Sequence, residues 1–144
     1  KEELFSEKMA AAILKLESLT LIEMDRFLHA PYNTESVLGK ICAENATDED
    51  FDVIIQILDA ICERSARYSA AILIACAMQT GKGTMAHKPI CILCNGTTFF
   101  KTWMIKERVY AYLDEILTRQ KGIFWKIVSC DNDITLGTAI AGLI

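Results

Sequence analysis

Through the first half of the chain, hydrophobic positions recur at helical spacing. Leu4, Met9, Ala12, Ile13 and Leu16 fall on one face of a helix expected from Lys1 to about Leu16. Thr20 reads as an N-cap, and Glu23 three residues later completes a capping box for a helix from Leu21 to about Leu28. Pro31 stops that helix, and Thr34 opens the next, to about Glu44, with Val37, Leu38 and Ile41 inward. Thr47 caps a long helix whose first turn carries Asp48, Glu49 and Asp50, where the helix dipole favours negative charge. Its apolar stripe is Val53, Ile54, Ile57, Leu58 and Ile61. From Ala66 small residues take over (Ser69, Ala70, Ala71, Ala75, Ala77), as on a helix lying close against a neighbour. Gly81 suits its C′ position.

The second half changes period. Pro89 to Cys94 is a continuous apolar run closed by Asn95-Gly96, the pattern of a strand buried on both faces. A helix is expected from about Met104 to Arg119, burying Ile105, Val109, Leu113, Ile116 and Leu117, and Gly122 breaks it. Ile123 to Ser129 reads as a second buried strand and Leu136 to Ile144 as a small-residue helix. Strands alternating with helices favour parallel pairing. The chain is therefore expected to be α/β and a single domain over 1–144, helical over 1–80 and mixed over 81–144.

Composition adjusts this picture at three points. The 144 residues are 52% hydrophobic with a mean hydropathy of +0.25, yet the longest apolar run, Ala70 to Met78, falls far short of the ~20 residues of a bilayer span. No membrane span is expected, so the apolar excess belongs to a full core or to a surface that meets more protein. The chain begins at Lys1 without an initiator methionine, in keeping with a piece of something larger, and self-association of the isolated piece is expected. Net charge is −4, with basic residues scattered among acids, which argues against nucleic acid as a partner. No secretory signal is visible in the acidic Lys1-Glu2-Glu3 start. The six cysteines sit in apolar or periodic segments and read as core thiols kept free in a reducing cytosol, hence a cytoplasmic protein.

Several local motifs offer chemistry. Cys91 and Cys94 lie three apart on a strand and should point to opposite faces, and no second ligand pair completes a zinc site. Gly81-Lys82-Gly83-Thr84 lacks the Walker spacing (position 76 is Cys and 83 is Gly) and reads as a flexible helix-to-strand linker. Asp131-Asn132-Asp133 lacks the glycine and glutamate of an EF-hand and reads as a solvated loop capping the last helix. Arg64 and Arg67, one turn apart, could clamp an anion, although a solvated or salt-bridged pair is the more frequent arrangement. Asn95-Gly96-Thr97-Thr98 follows a strand and precedes a helix, where α/β sheets collect ligands, and its Gly and hydroxyls suit a phosphate. Asn-Gly is also the commonest hairpin dipeptide, and spacing alone favours a plain turn.

Taken together and in order, these segments resemble the hexokinase family. Arg64-Ser65-Ala66 with Ser69-Ala70-Ala71 is similar to that family's Arg-Ala-Ala helix. Ile90 to Cys94 followed by Asn95-Gly96-Thr97-Thr98-Phe99 resembles its Asp-Gly-Ser/Thr-x-Tyr nucleotide motif, with Lys106-Glu107-Arg108 at the matching distance downstream. Leu136 to Ala141 resembles its closing glycine-alanine helix, and Leu4-Phe5 with Leu19 to Asp25 the segment after its sugar-binding region. The resemblance implies the C-terminal portion of a ribonuclease-H-like (actin-like ATPase) domain. It also implies a parent that uses ATP with Mg2+ to phosphorylate the 6-hydroxyl of a hexose at the entry to glycolysis. By resemblance Asn95, Gly96, Thr97, Thr98 and Phe99 would line the nucleotide site, with Lys101 on the same wall.

This sequence departs from the family at three places. Ala10 to Leu14 stands where the family often has Thr and Gly, Asn95 replaces an Asp, and the glycine-rich stretch before the closing helix is reduced to Asp133-Ile134-Thr135-Leu136-Gly137. The family's Asp-x-Gly-Gly-Thr loop, catalytic Asp and sugar-binding Asn and Glu do not occur here. Since phosphoryl transfer needs such groups, the chain alone is expected to be inactive, with no catalytic or metal-binding residue of its own. A non-catalytic nucleotide-binding or regulatory module is the alternative expectation.

Overall fold

The computed structural model describes residues 4–129. Helices α1 (Glu7–Ile13), α2 (Leu21–His29), α3 (Val37–Asn45) and α4 (Asp48–Gln79) come first. Strand β1 (Ile90–Leu93), helices α5 (Thr97–Lys101) and α6 (Ile105–Leu113), a π-helical continuation (Asp114–Gln120) and strand β2 (Trp125–Val128) follow. The expected closing helix, the Asp131-Asn132-Asp133 loop and Cys130 lie outside the described residues. Two compact units form. The first ends at Ser65 and takes in Thr102–Met104; the second runs Ala66–Lys101 and resumes at Ile105.

In the first unit, caps set the helix starts. The Thr20 hydroxyl accepts the Glu23 N–H at 3.2 Å as expected. The Glu23 carboxylate, however, does not close the box but reaches Arg26 at 3.0 Å and the Val37 N–H at 3.1 Å. Helix α3 starts after Ser36, not at Thr34, because Asn33 Oδ1 takes the Glu35 N–H and holds that stretch in a turn. The later start leaves Val37 exposed and Leu38 buried, so Val37 is not a core residue.

Helix α1 is shorter than its apolar spacing suggests, and the reason lies 44 residues away. Asp50, only 3% exposed, accepts from the Ser6 N–H at 2.7 Å, the Ser6 hydroxyl at 2.6 Å and the Thr47 N–H at 2.9 Å. Ser6 in turn accepts the Met9 N–H and becomes the N-cap. One carboxylate thus fixes the starts of α1 and α4. These hydrogen bonds, led by the Ser6 hydroxyl, hold its pKa down at about 2. The buried apolar side chains of this unit are Met9, Met24, Phe27, Leu28, Leu38, Cys42, Ile54, Leu58 and Cys62.

Helix α4 buries every fourth residue (Ile54, Leu58, Cys62, Ala66, Ala70, Ile74) and then Ala77, the one-face spacing of an α-helix. Ile57 and Ile61, expected in that stripe, are exposed, as are Tyr68 (67%) and Ile72 (65%) on the outer face. Gly81 ends the helix at φ +62°, as its C′ position requires.

The second unit buries Ala66, Ala70, Ile74 and Ala77 of α4 together with Ile105, Val109, Leu113 and Leu117. Among the described residues its sheet has two parallel strands, Ile90 beside Trp125 through Leu93 beside Val128. Tyr110 of α6 meets Trp125 edge-on at 5.2 Å. On the other side Cys91 and Leu93 are exposed, so β1 is not buried on both faces. An apolar run specifies a strand that wants two covers; among the described residues only one side is covered. The same geometry corrects the cysteines: Cys42 and Cys62 are core thiols, Cys94 is half-buried, and Cys76 and Cys91 are exposed.

Candidate functional site

The site is built on the end of β1. Parallel pairing puts the carboxyl ends of β1 and β2 at the same edge of the sheet. The Cys94 N–H donates to the Val128 carbonyl at 2.9 Å and carries the pairing one residue past the strand. The chain then turns at Asn95-Gly96. Gly96 has φ +99° and open space where a Cβ would stand, so glycine is required by backbone conformation and not by crowding. Helix α5 begins at once with Thr97, absent from the sequence expectation of a turn leading to a helix at Met104.

Asn95, Gly96, Thr97 and Thr98 are exposed and contiguous, and Phe99 is half-buried with its ring edge-on to Phe100 at 5.0 Å. The result is an open turn with a side-chain-free residue at its apex and two hydroxyls beside it, a surface that a phosphate can approach. Asn95 brings an amide where a carboxylate would repel an anion.

The remaining sequence candidates are placed as follows. Burial pushes the Cys94 thiol upward, opposite to the lowered pKa of a redox nucleophile. Among the described residues, no group of three His, Cys, Asp or Glu could hold a metal ion, and no helix is long and apolar enough to cross a membrane. Arg67 Nε–H donates to the Tyr112 hydroxyl at 3.0 Å. Lys106 sits 5.8 Å from the Tyr110 ring centroid.

Gly81-Lys82-Gly83-Thr84 is not a flexible linker at Gly83. That residue is buried at φ +78°, its carbonyl accepts the Phe124 N–H at 2.7 Å, and a Cβ there would stand 2.7 Å from the Phe124 carbonyl oxygen. This loop lines a cavity of about 590 Å³ running to Cys91. Ala10 to Ile13 belongs to α1 of the first unit, and Leu14, its C-cap, is 85% exposed.

One cluster has no sequence signal. Trp103, between α5 and α6, donates its main-chain N–H to Asp25 Oδ1 at 2.7 Å and its indole N–H to Asp59 Oδ1 at 3.0 Å. His29 meets its ring edge-on at 5.2 Å. Only the i,i+4 spacing of Asp25 and His29 is local enough to read from sequence.

The fold and the turn define the class: an α/β chain with an open, glycine-centred loop at the carboxyl edge of parallel strands. The family follows from comparison with known proteins, since a family model described as hexokinase matches residues 2–144. The chain belongs to the hexokinase family. No curated protein and no solved structure matches it.

Proposed function

We propose that the chain supplies one wall of the nucleotide site of a hexose kinase that transfers the ATP γ-phosphoryl group to the 6-hydroxyl of a hexose. What supports this most is the hexokinase-family match over residues 2–144 together with the glycine turn at Gly96, φ +99°, in the stretch that resembles the family's nucleotide motif. In this reading the chain is the C-terminal part of a ribonuclease-H-like large domain. Asn95, Gly96, Thr97, Thr98 and Phe99 face the nucleotide, and the hexose is held by residues upstream.

Gly96 lets the backbone approach the phosphates and the exposed Thr97 and Thr98 hydroxyls donate to them. Mg2+, when bound with ATP, would neutralise charge on the transferring phosphoryl group. No described residue here is assigned to it. The chain by itself is inactive and cytoplasmic in this reading.

The test is hexose- and ATP-dependent ADP release by the full-length protein. Thr97→Ala is expected to raise KM for ATP about tenfold, the loss of one hydrogen bond to a charged group, with KM for the hexose unchanged. Equal activity of Thr97→Ala and Gly96→Val with the parent protein would remove the wall from the site.

Asn95 favours a second reading, a nucleotide-binding module without kinase chemistry, because the carboxylate of the family motif is missing. Tight ATP binding by the full-length protein with no turnover on any hexose would select it.

A further inference from the structure

The loop between α4 and β1 does more than join two elements of the second unit. From Thr80 to Cys91 it lines a cavity of about 590 Å³, a volume within the roughly 300–1,000 Å³ of small-molecule sites. Its main chain is tied down along its length. The Thr80 hydroxyl donates to the Ala77 carbonyl at 2.7 Å and accepts the Lys82 N–H at 3.2 Å. The Gly83 carbonyl accepts the Phe124 N–H at 2.7 Å, and the Met85 carbonyl accepts the Lys88 N–H at 2.9 Å. At the end of the loop the Ile90 N–H donates to the Phe124 carbonyl at 2.8 Å. A wall fixed in this way loses little freedom when a ligand binds.

The charge of this wall runs against that of the chain, which carries 19 Asp and Glu against 15 Lys and Arg. Among the described residues that line the cavity the charged ones are Lys82 and Lys88, and none is acidic. A cleft whose charges share one sign focuses the field and concentrates ligands of the opposite sign. Beside the lysines stand the apolar Met85, Pro89 and Ile90, with Met85 51% exposed. Two ammonium groups match a dianion better than a single negative charge, and a phosphate monoester is close to doubly charged above its second pKa of about 6.

We propose that this cavity binds a small organic phosphate monoester, with its phosphate held by Lys82 and Lys88 and its carbon body against Met85, Pro89 and Ile90. The cavity lies where β1 begins, whereas the turn Asn95–Phe99 follows the strand's other end. The inference therefore does not depend on the nucleotide reading of that turn. Cys91 is exposed and lines the cavity; it is a reporter of occupancy and not a binding group.

The experiment is alkylation of the full-length protein by iodoacetamide, a neutral reagent, with Cys91 and Cys76 followed separately by peptide mass spectrometry. Cys76 is also exposed but does not line the cavity. Phenyl phosphate is the probe and benzyl alcohol its uncharged counterpart. Phenyl phosphate is expected to slow Cys91 saturably and leave Cys76 alone, and benzyl alcohol to protect far less. Lys82→Gln and Lys88→Gln should each raise the half-protecting concentration about threefold and together about tenfold, the scale of exposed ion pairs. Added salt should raise it as well. Protection should persist in excess ADP and Mg2+.

No protection of Cys91, or equal slowing of Cys91 and Cys76, would overturn the proposal. So would equal protection by benzyl alcohol, or protection that survives unchanged in the double lysine variant. Loss of protection when ADP and Mg2+ are added would move the phosphate to the nucleotide turn and leave this cavity without a ligand.

Discussion

Gly83 should be among the least replaceable residues of the second unit, and its neighbour Gly81 shows by how much. Both have positive φ, +78° and +62°. An alanine at either must adopt the left-handed region at a cost of about 1–2 kcal/mol. There the likeness ends. A Cβ at Gly81 meets nothing within 4 Å, whereas at Gly83 it would stand 2.7 Å from the Phe124 carbonyl oxygen and 2.9 Å from Ile90 Cγ1.

The nearer of these, the Phe124 carbonyl, cannot yield easily. The Phe124 carbonyl is bound to the Ile90 N–H at 2.8 Å, and the Phe124 N–H to the Gly83 carbonyl at 2.7 Å. Relief of the clash must pull on the first rung of the strand pair. Overpacking of this kind costs roughly 1–3 kcal/mol more.

Gly81→Ala should therefore destabilise by about 1–2 kcal/mol and Gly83→Ala by about 2–5 kcal/mol. Urea unfolding followed by tryptophan fluorescence measures both, Trp125 lying in the second strand of the pair. Equal losses in the two variants, or a loss at Gly83 no larger than about 1 kcal/mol, would refute the steric argument and with it the account of Gly83 as the seat of Phe124.

Other outcomes follow from the same physical picture. Asp50 has a folded pKa of about 2, below the ~3.9 of an unfolded Asp, so its stabilising effect is complete above that value and lost as pH falls from about 4 to about 2. Acid unfolding of Asp50→Asn should be less steep across that window than that of the parent protein, and identical slopes would exclude the role given to Asp50. Leu113, fully buried, should cost about 3–5 kcal/mol on truncation to Ala, read from denaturant midpoints. At pH 8 a thiol reagent should label the exposed Cys76 and Cys91 rapidly. Cys42, whose pKa burial and then the Asp50 charge raise to about 11, should react only on unfolding. The isolated chain should gain mass with concentration in light scattering, and Ile72→Glu on the exposed face of α4 should suppress that gain; a concentration-independent monomer mass would contradict it.

Features made by neighbouring residues were legible in the sequence. The Thr20 and Thr47 caps, the Gly81 terminus and the parallel strand pair all come from patterns a few residues long, or from simple alternation of elements. The difference at Thr34 is partly local as well: the Asn33 carbonyl takes the Ser36 N–H and Glu23 the Val37 N–H, the two groups a Thr34 cap would use. Longer-range determinants left no trace. Nothing near Ser6 announces that Asp50 will define where α1 begins, and nothing near Trp103 announces Asp25 or Asp59. The apolar run of β1 marks a strand, but a run encodes only the wish for burial and not what provides it. The glycine turn at Gly96 is legible as a turn, and the proposal that it is a nucleotide wall rests on the family resemblance.

The strand pair also carries a consequence for the order of folding. Ile90 pairs with Trp125, and a parallel pairing cannot form until everything between has been traversed. Closing so long a loop costs chain entropy before any rung of the ladder repays it. Helices α2 and α3, joined by a short turn, can associate early. The sheet must wait for α5, α6 and the π-helical segment to shorten the path. During synthesis the apolar β1 therefore emerges from the ribosome well before its partner strand exists. For that interval it is an unpaired, aggregation-prone edge, and chaperone dependence during translation should concentrate there.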